Sequence, residues 1–114
     1  MKVILFSSHN YEKEYFDKIN QTFKHKIEYV DSHLTPQTAI MAKGFDCICA
    51  FVNDLLNDET LNVLKELGVK LIALRSAGFN HVDLVSAEKF NLPVVRVPAY
   101  SPHAIAEHAV ALLL

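Results

Sequence analysis

Five short apolar runs constrain the fold of this chain most: Val3 to Phe6, Ile27 to Val30, Cys47 to Val52, Val69 to Leu74 and Pro93 to Val97. Each has the length of a strand, and the runs are largely continuous rather than alternating, as expected of strands covered on both faces of a parallel sheet. Helical spacing fills the gaps. Asn10 precedes Tyr11, Tyr15, Ile19 and Phe23, which recur every fourth residue. Thr35-Pro36 predicts a second helix, with a capping hydroxyl and proline at its first position, closed by Gly44. Asn57 caps a third, with Asp58 and Glu59 in its positive first turn and Gly68 after its last leucine. Asp83 opens a fourth that ends near Asn91, and Ser101-Pro102 opens a fifth that runs apolar from Ala109 to Leu114. Strands alternating with helices predict an α/β domain, a doubly wound five-stranded parallel sheet. The fifth helix ends without a cap inside its most apolar stretch, so the reading expects a chain truncated there, with further sequence for that helix to pack against.

At 114 residues one core is expected, and 51% apolar with 21% charged residues is the balance of a folded domain. A formal charge of -2 without a basic cluster argues against nucleic acid as a partner. The first apolar run turns polar at Ser7, too short for a secretory or membrane segment, so no membrane association and a cytoplasmic location are expected. Cys47 and Cys49 lie two apart in a strand, on one face and about 7 Å from each other, which predicts buried reduced thiols.

Ligands of open α/β sheets bind beyond the carboxyl ends of the strands. Those positions read Ser7-Ser8-His9-Asn10, Asn53-Asp54, Arg75-Ser76-Ala77-Gly78 and Pro98-Ala99-Tyr100-Ser101. The small residues ending in Gly78 could leave backbone N–H groups open to a carboxylate, or form a plain tight turn. With glycine only at 44, 68 and 78, neither G-x-G-x-x-G nor a P-loop can be written in this chain, so no cofactor-binding residue is assigned within it. His103, Glu107 and His108 do not match a zinc motif and lack a further ligand set, so no metal is assigned. Arg75 and Arg96 could each grip an anion, but pairing with Asp or Glu inside the chain is the expectation. Tyr100, at a strand end before a helix start, could reach a ligand or simply pack.

Several ordered blocks, Phe51-Val52-Asn53-Asp54, Ala73 to Leu84 (ALRSAGFNHVDL), Val94 to Pro102 (VVRVPAYSP) and Ala106-Glu107-His108-Ala109, resemble the D-isomer-specific 2-hydroxyacid dehydrogenases, and among them the fermentative D-lactate dehydrogenases most. The resemblance covers the whole chain. It implies a flavodoxin-like substrate domain at 1–100, and at 101–114 the start of the helix leading into an NAD-binding Rossmann domain. It further implies reduction of pyruvate to D-lactate by a homo-oligomeric full-length enzyme, with NAD held by the later domain. The family's catalytic arginine and its glutamate-assisted histidine fall in later sequence, so no catalytic residue lies here and the chain alone is expected to be inactive.

For the residues present, the resemblance assigns Ala77 and Gly78 to backbone N–H groups that hold the substrate carboxylate. Tyr100 is assigned to a hydrogen bond in the same pocket, and Phe51 to the aromatic position near the substrate. Asn53 is a weaker assignment, drawn partly from its strand-end position. His81 departs from the asparagine frequent in related sequences. Two alternatives stay open: another D-2-hydroxyacid dehydrogenase, taking a bulkier keto acid or phosphoglycerate, and a non-enzymatic flavodoxin-like module for a small acid or a protein.

Overall fold

The computed structural model describes residues 2–23, 26–75 and 81–96. The predicted fifth helix at 101–114 lies outside them, as do Ala77, Gly78 and Tyr100.

All five apolar runs form strands: β1 (Lys2–Leu5), β2 (Lys26–Tyr29), β3 (Cys47–Ala50), β4 (Leu71–Leu74) and β5 (Val94–Arg96). Every pairing is parallel, in the order β2-β1-β3-β4-β5. This is the flavodoxin-like order expected. Alternate side chains divide the core in two, because successive residues of a strand point to opposite faces. Ile4, Phe6, Ile48, Ala50, Ile72 and Leu74 face one layer, packed with Leu61 and Leu64 of helix α2 (Asp58–Glu66) and Ala87 of helix α3 (Leu84–Lys89). Val3, Leu5, Cys47, Cys49 and Ala73 face the other, against Phe16 of helix α1 (Asn10–Phe23). Both cysteines are therefore buried on one face as predicted, and burial, with Cys49 beside it, pushes the Cys47 thiol far above its ordinary range. Phe16, outside the four-residue stripe read from sequence, is the buried anchor of α1 that the structure describes.

Two caps form as read. Asn57 accepts a hydrogen bond from the Thr60 amide at 2.9 Å, and Asp83 accepts one from the Ser86 amide at 3.1 Å. Gly68 follows α2 at a φ of +89° that disfavours any side chain. The second predicted helix differs. Instead of a helix from Thr35 to Gly44 there is one α-type bond, from the Ala39 amide to the Thr35 carbonyl, and then a short 3-10 helix, Ala39–Ala42. Burial explains the tightening. Ala39 and Ala42 are fully buried and Ile40 and Met41 exposed, and a three-residue turn stacks positions i and i+3 on one side.

Candidate functional site

The chain leaves β1 toward β2 on one side and returns to β3 on the other, so the loops after these neighbouring strands diverge and open a crevice at their carboxyl ends. Of the strand-end residues of the sequence reading, Ser7, His9, Asn53, Asp54 and Arg75 lie there. Ser7, two residues past the end of β1, holds a φ of +53°, an uncommon conformation for a residue with a side chain. It persists because several bonds fix it. Its amide donates to the Ser32 carbonyl at 2.9 Å, its carbonyl accepts from Arg75 Nη2 at 3.1 Å, and its hydroxyl donates to Asp54 Oδ1 at 2.5 Å.

Asp54 is buried, and it locks the loop after β3. Its Oδ1 also accepts from the Leu34 amide and its Oδ2 from the Phe51 amide, both at 2.8 Å, while its own amide donates to the Phe51 carbonyl at 2.9 Å. Residues 51–54 are thus a β-turn, with exposed Asn53 at its third position, where asparagine is favoured for backbone reasons. His33 Nδ1 lies 2.7 Å from the Ser7 hydroxyl oxygen. That hydroxyl has one proton and donates it to Asp54 Oδ1, so Nδ1 of the exposed imidazole is the donor in this contact.

Arg75 binds main-chain carbonyls. Its guanidinium is buried and donates to main-chain carbonyls, Nη1 to Cys49 at 3.1 Å and Nη2 to Phe6 at 2.8 Å as well as to Ser7. β3 lies between β4 and β1, so a long side chain rooted at the end of β4 can span β3 to the carbonyls beyond β1. Phe51, half-buried, has its ring centroid 5.3 Å from Arg75 Cζ, and the His9 ring meets it edge to face at 5.6 Å.

The structure therefore brings Phe51 and Asn53 of the sequence-assigned residues to this edge. Ser7, His9, Asp54 and Arg75 had been singled out by strand-end position but without these partners. His33 was missed, and no motif around it signals its role. Among the described residues no cluster of His, Cys, Asp or Glu could hold a metal ion, and no helix is long and apolar enough to cross a membrane. A groove of about 380 Å³ lined by Lys2, Lys26, Ile27, Glu28 and Phe45 opens beside the starts of β1 and β2, away from this cluster.

His81 is half-buried in the turn before α3, and its Nε2 is buried without a hydrogen-bond partner among the described residues. Desolvation lowers its pKa, more than the nearby Asp54 charge raises it. The folded state thus resists a proton that the unfolded chain accepts. Stability should be insensitive to His81 above about pH 6.5 and fall as pH drops through that ordinary histidine value toward the lower folded one. His81→Asn should flatten this acid-side decline in urea melts. An unchanged pH slope would rule out His81 as its source.

Comparison with known proteins gives a consistent set of matches. Residues 3–111 match the family model described as D-isomer specific 2-hydroxyacid dehydrogenase, catalytic domain. A 2-hydroxyacid dehydrogenase homolog of Schizosaccharomyces pombe is 51% identical over the whole chain, which covers 34% of that protein. The apo structure of D-lactate dehydrogenase from Escherichia coli superposes with a TM-score of 0.86 at 47% identity, over 98% of this chain and 36% of that one. D-lactate dehydrogenase from Lactobacillus jensenii, solved with NAD+, gives 0.78 at 30% identity, over 99% and 34%. The chain spans about a third of the length of these relatives.

Proposed function

Because the chain belongs to the D-isomer-specific 2-hydroxyacid dehydrogenase family, we propose that it is the substrate-binding part of an NAD-dependent enzyme that interconverts pyruvate and D-lactate. One observation carries the reading. Phe51 is presented half-buried at the β1/β3 crevice by a buried network, where an open α/β sheet takes its ligand. The likeness to the Escherichia coli D-lactate dehydrogenase supports the choice of substrate. In this reading residues 1–100 form the substrate domain and 101–114 begin the helix toward the cofactor domain. The backbone N–H groups of Ala77 and Gly78 hold the substrate carboxylate, the Tyr100 hydroxyl bonds in the same pocket, and Phe51 walls the substrate's short side chain. Asn53 borders the pocket from the turn.

NAD does not fit the residues present. Gly44 and Gly68, both at a φ of +89°, lie in the turns that lead into β3 and β4, at the opposite end of the sheet from the crevice, and no glycine-rich phosphate cradle can be formed from the sequence. The cofactor, and the groups that move the proton, are therefore assigned to a part of the enzyme other than these residues. The share of this chain is to hold and orient the keto acid, and to exclude water from one side of it. It also implies a cytoplasmic, homo-oligomeric enzyme.

Initial rates of the intact enzyme with NADH test the substrate. If the Phe51 ring walls a space for a methyl group, kcat/KM should be highest for pyruvate and lower by about tenfold or more for phenylpyruvate, whose benzyl group must displace that wall. A preference for phenylpyruvate or for a phosphorylated keto acid would move the enzyme to another member of the family.

A further inference from the structure

We propose that Arg75 is a positioning residue for substrate selectivity: its buried guanidinium fixes the Phe51 ring, and the fixed ring sets which 2-oxo acid side chains fit. The inference rests on the reading of Phe51 as the pocket wall. Arg75 is 1% exposed, and a cation so deeply placed is tolerated only where its donors are satisfied. Those of Nη1 and Nη2 are met from two strands at once. Nη2 bonds the Phe6 and Ser7 carbonyls after β1, and Nη1 bonds the Cys49 carbonyl within β3, with the Cys49 sulfur at 3.7 Å. The Arg75 amide is itself bound to the Ala50 carbonyl at 2.8 Å. A planar fork tied to two strands has one orientation, which a flexible ammonium would not share.

That orientation places Cζ 5.3 Å from the centroid of Phe51, while the buried Asp54 carboxylate holds the Phe51 amide and His9 meets the ring at 87°. Backbone and ring are thus fixed by separate groups. Phe51 has two side-chain torsions, and with its amide held by Asp54 the guanidinium and the imidazole govern where the ring rests. Without the guanidinium the ring gains freedom to turn away from the crevice, and the pocket enlarges.

The test uses the intact dehydrogenase and reads the ratio of kcat/KM for 2-oxobutyrate to that for pyruvate, with NADH as reductant. Arg75→Met should raise the ratio by about fivefold, the scale of one lost cation–π contact, and should change it less than about twofold when Phe51→Ala is also present. Arg75→Lys keeps charge and stem but not the fork, and should shift the ratio in the same direction; it carries the comparison if Arg75→Met does not fold. The inference is overturned if the folded Arg75 variants leave the ratio unaltered while Phe51→Ala raises it. It is equally overturned if the Arg75 shift is the same size with and without the Phe51 ring. A Phe51→Ala enzyme with an unaltered ratio would remove the pocket wall itself, and the role of Arg75 with it.

Discussion

Asp54→Ala should cost about 3–5 kcal/mol of stability, a large part of the roughly 5–15 kcal/mol that holds an ordinary domain together. The carboxylate is buried and accepts from the Ser7 hydroxyl and from the amides of Leu34 and Phe51. Alanine would leave two backbone donors and a hydroxyl without that acceptor. Each stranded buried donor costs about 1–3 kcal/mol, offset in part by any water that enters the space. The carboxylate joins loops after β1, before the 3-10 helix and after β3, so its loss loosens three segments together. Asp54→Asn separates shape from acceptance. Its amide nitrogen would face a donor, so it should lose most of the same stability, as read by urea denaturation. An asparagine variant within about 0.5 kcal/mol of the native protein would show that volume, not hydrogen bonding, sustains the turn.

Gly78→Val should lower the kcat/KM of the intact enzyme for pyruvate by at least about tenfold, with the KM for NADH nearly unchanged. The proposal assigns a backbone N–H at Gly78 to the substrate carboxylate, and one charge-assisted hydrogen bond is worth about 1.5–3 kcal/mol. A valine side chain beside that amide would also occupy space the carboxylate needs. Melting temperature is the control. A glycine needed only for its backbone angles would show its replacement in stability rather than in efficiency. A stable Gly78→Val enzyme with normal pyruvate efficiency would remove Ala77 and Gly78 from the site.

Local signals made most of the fold legible. The five strand-sized runs needed no tertiary knowledge, and Asn57 and Asp83 cap their helices through side-chain bonds that span three residues. The stretch from Thr35 to Gly44 misled because its boundary residues suit an α-helix, whereas the burial of Ala39 and Ala42 against the sheet decided its pitch. The site was less legible for a related reason. Ser7 and Asp54 lie 47 residues apart, and Arg75 meets Phe6 across 69, so their partners exist only once β1, β3 and β4 are side by side. That Arg75 binds main-chain carbonyls leaves no pattern in the sequence. Asn53, Ala77, Gly78 and Tyr100 could be located by strand-end position, but the position of Phe51 and the roles of Ala77, Gly78 and Tyr100 come from family resemblance.

If this chain serves a dehydrogenase of D-configured 2-hydroxy acids, the configuration of the product must show it. The intact enzyme should be given pyruvate and NADH carrying deuterium at the transferable position, and the lactate resolved by chiral chromatography with mass detection. D-lactate labelled at C2 should form in step with NADH oxidation. L-lactate, a racemate, or pyruvate left unreduced by a folded enzyme would contradict it.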